Sequence, residues 1–241
     1  MTEKTRQTLW RVGIPFVGVV LVGIFFHSHI ALAMLKIGNE FFGGSMPYSL
    51  TVADTSYRLA LVIDSEVEDA WHQRARIAFL RGDFAGAREM IDKQVEIHGD
   101  SFMASYYIRG LIAGYDKRFA DAEADFKHFL TWDPTNWAGN NDLAWIYFAQ
   151  GKFKETAEQA RVALLYNNGN PWLHMMYGMA LYNLGDKEGA LRELLLAKEG
   201  AEKLTEADWH KAYPGNDPSV AGEGLAAIKE TIENNIALVN K

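Results

Sequence analysis

The chain has no cysteine in its 241 residues. That excludes a disulfide framework, a thiol nucleophile and a lipid-modified N-terminal cysteine, and it leaves the redox compartment open. Catalytic motifs are missing as well. There is no His-Glu-x-x-His, no phosphate-binding loop and no Gly-x-Ser-x-Gly, and Gly222-Glu223-Gly224 is too short for a nucleotide fingerprint. His72, His98, His128, His174 and His210 stand singly without ligand spacing, so neither a metal site nor a cofactor is expected. Asp121, Glu123 and Asp125 read as a solvated helix face. Clustered basic residues are absent from the body. Residues 1–36 carry Lys4, Arg6, Arg11 and Lys36 against Glu3, which is +3, and a net charge of −7 then leaves −10 for the remainder. An acidic body does not suit nucleic acid, whose binding rests on phosphate neutralisation. An enzyme is not expected, and function is sought in a surface.

What is present begins with an apolar leader. Val12–Phe26 is an unbroken run of apolar residues with Gly and Pro, and no formally charged side chain occurs from Val12 to Leu35. As a helix, residues 12–35 would reach roughly 36 Å, enough to cross a hydrocarbon core of about 30 Å. Pro15 falls near the start, where its missing N–H matters least. With Lys4, Arg6 and Arg11 ahead of it, the positive-inside rule predicts a single pass through the cytoplasmic membrane. The N-terminus would be cytoplasmic and the body periplasmic or extracellular. The same residues also fit a secretory signal peptide cleaved after Ala33, in Ala31-Leu32-Ala33, which would free a soluble exported module. His27 and His29 read as polar residues closing the apolar span. The sharper alternative is a pigment- or haem-binding subunit ligated through His27 or His29.

The body is organised around Trp137–Asn170, a 34-residue unit. Leu143, Ala144 and Tyr147, then Phe153, Ala157, Ala160 and Ala163, give helical spacing in two runs broken at Gly151-Lys152. That is a helix–turn–helix, with Gly151 able to end the first helix. The pattern repeats without gaps, except for Phe102, through Glu68–Ser101, Met103–Asn136, Trp137–Asn170 and Pro171–Leu204. Small residues recur in the first helix at Ala75, Gly110, Ala144 and Gly178. In the second they recur at Ala87, Ala122 and Ala190, with Thr156 departing. Phe84, Phe119 and Phe153 follow the turn.

This pattern resembles the tetratricopeptide repeat, most closely at Leu143-Ala144-Trp145-Ile146-Tyr147 and Tyr177-Gly178-Met179-Ala180-Leu181. Arg74 and Arg109 stand where that family prefers Leu, and its closing Pro survives only at Pro134. The resemblance implies an all-α fold, a right-handed α-α superhelix. The expected organisation is a membrane anchor or signal peptide over 1–33, a degenerate first repeat over 34–67, and four repeats over 68–204. A turn-rich loop and a helix capping the solenoid fill 205–241, the helix with Leu225, Ile228, Ile232, Ile236 and Val239 on one face.

The resemblance also implies that partners bind the face lined by first helices. By phase, that face carries His72, Arg76 and Phe79, then Tyr107, then Asn141, Asp142, Trp145 and Phe148. The last unit adds Trp172, Met175, Met176, Met179 and Tyr182. Aromatic and pliable Met side chains suit an apolar helix or extended peptide. With Arg76 the only basic residue among them, clamping of a C-terminal carboxylate is not expected. The function read from the sequence is a non-enzymatic protein–protein interaction scaffold anchored in the membrane. It would be an accessory subunit or assembly factor whose partners are subunits of a membrane complex.

Overall fold

The computed structural model describes residues 26–212 and 217–241. The described chain is helical, with two short 3-10 turns at Gly99–Phe102 and Pro218–Val220. It divides into two compact units, one reaching Arg74 and one running from Ala75 to Lys241.

In the first unit, helix α1 covers residues 26–42 and α2 covers Leu50–Ile63, with Ser49 capping α2 by accepting from the Val52 N–H. They close on each other through small and aromatic residues. Gly38 lies directly under the Tyr57 ring, and the Tyr57 hydroxyl donates to Asn39 Oδ1 at 2.7 Å. Ala31 is fully buried with Ala60, Leu61, Val67 and Ala70. Arg74, one of the departures from the family pattern, donates to Asp54 Oδ1 at 2.9 Å and lies over the Trp71 ring.

Two expectations about the leader are corrected here. No helix among the described residues is long and apolar enough to cross a membrane. The transmembrane helix expected over 12–35, and the single-pass placement built on it, are therefore not supported. Residues 12–25 of that span lie outside the described residues. Residues 26–35 lie in α1, which continues past Lys36, Asn39 and Glu40 and uses Ala31 to pack in the first unit. Of the apolar residues counted towards the span, Ala31 is buried and Met34 and Leu35 pack beside it, whereas Phe26, Ile30 and Leu32 are exposed. Ala33 lies inside this helix, two residues beyond buried Ala31.

The second unit is a series of helical hairpins. Helix α3 (Ala70–Leu80) enters it and pairs with α4 (Phe84–His98). Then come α5 (Ala104–Tyr115) with α6 (Phe119–Trp132), α7 (Trp137–Ala149) with α8 (Phe153–Leu164), and α9 (Pro171–Asn183) with α10 (Lys187–Glu202). The recurrent small residues explain the close approach: Ala75, Ala87, Ala122, Ala144, Thr156 and Ala190 are all completely buried. One register position sets every turn. Gly82, Lys117, Gly151 and Gly185 stand at the same place in successive repeats with φ of 75°, 61°, 73° and 89°. This left-handed conformation ends each first helix, and glycine adopts it without strain.

Neighbouring hairpins share one core, from Ala75 through Ile91, Ile112 and Phe126 to Leu143 and Ile146. Arg109, the second departure from the family pattern, makes a two-pronged pair with Asp125 at 2.9 and 2.7 Å. Glu123 on α6 accepts from Lys152 at 2.8 Å and from Gln150 at 3.1 Å, clasping the second hairpin to the third. Beyond α10, a short α11 (Glu206–Ala212) precedes α12 (Ala221–Val239). Helix α12 lays Ile228, Ile232 and Val239 against α9 and α10, and Lys198 of α10 pairs with its Glu233 at 2.6 Å.

Candidate functional site

A cleft opens in the second unit where first helices present their N-terminal turns. Asn136 caps α7 by accepting from the Gly139 N–H at 3.0 Å, and Asn170 caps α9 by accepting from the Leu173 N–H at 3.1 Å. These caps, one repeat apart, place Trp137 and Trp172 at the starts of their helices. The third wall comes from α11. Thr205 and Asp208 form a reciprocal cap, Thr205 N–H donating to Asp208 Oδ2 at 3.0 Å and Asp208 N–H to Thr205 Oγ1 at 3.3 Å. The turn they begin carries Trp209, which lies so close to Gly224 of α12 that any β-carbon there would overlap its ring.

The cleft is lined by Tyr107, Trp137, Ala138, Asn141, Asp142, Trp172 and Trp209, and its volume of about 90 Å³ has room for the head of one side chain. An adjoining depression shares Trp137 and Trp172 and adds Pro171, Leu204 and Asp208.

Its polar floor is unusual. The Tyr107 hydroxyl donates to Asp142 Oδ2 at 2.7 Å, and Asn141 Nδ2 donates to Asp142 Oδ1 at 3.0 Å. Because the amide nitrogen faces a carboxylate, the amide oxygen must turn away from it. Asn141 Oδ1 is buried and has no hydrogen-bond partner. Burial pushes the Asp142 carboxyl up to about 6 even though Tyr107 and Asn141 hold its charged form. Burial, and then the nearness of Asp142, also raises both the Tyr107 hydroxyl and that of Tyr115, the latter to about 12. Among the described residues no Lys or Arg is paired with Asp142; the Arg76 guanidinium acts on Tyr107.

The expected surface residues do not stay together. Tyr107, Asn141, Asp142 and Trp172 come together at this cleft. Phe79 and Trp145 instead join a row of packed rings: Phe79 meets Tyr115 at 5.1 Å, and Tyr115 meets Trp145 at 5.2 Å. Phe148 packs edge-on against Phe153 at 5.3 Å across the turn of its own repeat. Met175, Met179 and Tyr182 are half-buried against clusters to which α10 and α12 both contribute, with Trp172 sharing part of that contact. Met176 is half-buried. His72, in the first unit, is buried, and Arg76 is partly exposed.

Trp137, Ala138 and Trp209 line the cleft and were missed in the sequence. Trp209 had a readable signal: Thr205-x-x-Asp208 ahead of it is a helix-start pattern inside a segment otherwise rich in turn formers. His27 and His29 are exposed on α1. Among the described residues no group of three or more His, Cys, Asp or Glu is placed to hold a metal ion.

Comparison with known proteins adds family and fold. Residues 69–93 and 171–195 match the tetratricopeptide repeat family. No curated protein matches the sequence. Among solved structures, the chain is similar to PilF of Pseudomonas aeruginosa at 18% identity, covering 88% of this chain and 90% of that one with a TM-score of 0.64. It is similar to residues 41 to the end of MamA from Desulfovibrio magneticus RS-1 at 15% identity, covering 71% and 95% with a TM-score of 0.62. YrrB, a TPR protein with an unusual peptide-binding site, is similar at 16% identity, covering 72% and 87% with a TM-score of 0.59. At these identities the likeness is one of fold.

Proposed function

We propose that this chain, a tetratricopeptide-repeat protein, is a non-enzymatic scaffold that grips a polypeptide segment of its partner in the Trp137–Trp172–Trp209 cleft. It would serve as an accessory subunit or assembly factor of a larger complex. A single observation carries this reading. Three tryptophans from three different helices line one opening, beside a buried amide oxygen that nothing among the described residues satisfies. Aromatic side chains with a polar floor are the composition of binding hot spots, and an unsatisfied buried acceptor costs stability unless a ligand supplies the donor. The neighbour YrrB is described as binding peptide, which is consistent with this use of the fold.

The test starts from peptides selected from a displayed library on the whole chain. Ala138 is partly exposed at the cleft wall on the first turn of α7. Ala138→Tyr should fill the opening while leaving helix α7 intact. The selected peptides are expected to bind this variant at least about tenfold more weakly than the parent. Equal affinity for both would place the binding surface elsewhere.

A further inference from the structure

We propose that the cleft selects a basic residue, taking the cationic head of a lysine or arginine side chain on the partner segment between its aromatic walls, against Asn141 Oδ1 and the Asp142 carboxylate. The inference rests on the segment-binding reading above and adds the chemistry of the residue that fills the cleft.

Four independent features agree on a cation. The unpaired oxygens at the floor are acceptors. Asn141 gives one amide N–H to Asp142, and among the described residues its oxygen is left without a partner. Asp142 accepts one hydrogen bond at each oxygen, from Asn141 and from Tyr107, and each carboxylate oxygen has a further lone pair. A lysine ammonium brings three donors and no acceptor, and an arginine brings five. Second, among the described residues the carboxylate has no counter-charge. Its neighbours from the packed elements are Tyr107 and Tyr115 on α5 and Asn141 beside it, with Arg76 acting on Tyr107. Asp208 adds a second acid to the adjoining depression. Third, the walls are tryptophan, whose ring faces attract cations more strongly than those of the other aromatic side chains, and desolvation increases the effect. Fourth, the cleft holds about 90 Å³, which suits one side-chain head.

Competing occupants fit less well. An apolar side chain would seal Asn141 Oδ1 and Asp142 away from water with nothing to pair them. An acidic residue, a C-terminal carboxylate or a phosphate would meet Asp142 as a like charge.

The experiment uses the whole chain with its tryptophans replaced by 5-fluorotryptophan, so that fluorine resonances report on Trp137, Trp172 and Trp209 separately from Trp10, Trp71, Trp132 and Trp145. Blocked pentapeptides of sequence Gly-Gly-Xaa-Gly-Gly are titrated with Xaa as lysine, arginine, norleucine or glutamate, and tetramethylammonium chloride is titrated alone. Lysine and arginine peptides are expected to shift the three cleft resonances and leave Trp71 and Trp132 unmoved. Their affinity should exceed that of norleucine by about tenfold or more, and glutamate should bind weakest.

Asp142→Asn should bring lysine down to the norleucine level. Asn141→Leu should weaken it in the same direction, which covers the case in which one variant is poorly folded. Equal shifts with norleucine would overturn the charge preference and leave segment binding standing. Shifts with tetramethylammonium that need Asp142, with no response to any peptide, would overturn the segment as the source of the cation. No response at all, or an unaltered lysine preference in Asp142→Asn and Asn141→Leu, would overturn the proposal outright.

Discussion

Asp142 carries a cost that its surroundings do not remove. Burial lifts its carboxyl from an ordinary 3.8 to about 6, so the folded chain holds that proton more tightly than the unfolded chain does. The folded state therefore binds more protons between those values, and stability falls as pH rises through that window. By neutral pH the buried charge costs on the order of 1–3 kcal/mol. Asp142→Asn keeps an oxygen for the Tyr107 hydroxyl and cannot ionise. It should raise the thermal midpoint at pH 7 and give no gain at pH 4, measured by thermal unfolding at both values. A gain of equal size at both pH values would mean that the carboxylate's charge is not the source. A residue that weakens the fold at working pH and lines a cleft is the pattern of a binding site. At this scale the sequence was partly legible. Helical phase placed Asn141 and Asp142 on the face of α7 where the cleft opens. It could not reveal that Arg74 and Arg109 each find an acid, Asp54 and Asp125, on a neighbouring helix. Those partners stand 20 and 16 residues away, beyond what a local pattern reports.

The turn of each hairpin obeys one rule, and the second hairpin breaks it. Lys117 sits at φ 61° where the other three repeats use glycine. A β-carbon in that conformation costs about 1–2 kcal/mol, part of which is offset by the extra freedom glycine gives the unfolded chain. Lys117→Gly should therefore stabilise by about 0.5–1 kcal/mol. Gly151→Ala should destabilise by about 1 kcal/mol through the backbone alone, because nothing lies within 4 Å of the added carbon. Urea unfolding of the two variants checks both signs; a loss in Lys117→Gly would mean that the lysine side chain contributes more than its backbone costs. The turns were legible at this scale because the 34-residue spacing and the glycines are local signals. Helix α11 was not read. Its seven residues are too few to show periodicity, and neighbouring Pro214-Gly215 and Asp217-Pro218 dominate the composition of the segment.

For the whole molecule, the repeats specify what touches what within the second unit, and its last element decides what remains open. Periodicity showed that the fourth first-helix is apolar along Trp172, Met175, Met179 and Tyr182. It could not say that α10 and α12 of the same chain pack against part of that stripe. The leader misled for a related reason. Hydropathy weighs residues 26–35 as membrane-compatible, whereas in the fold they belong to a helix that places Ala31 in the first unit's core and runs on through Lys36 and Glu40. What is left uncovered is the cleft between the starts of α7 and α9 and helix α11. Amide hydrogen exchange of the whole chain, with and without a selected peptide, tests its role most directly. Slowed exchange should centre on the first turns of α7 and α9 and on α11. Protection confined to α8 and α10, with those turns unchanged, would contradict the account.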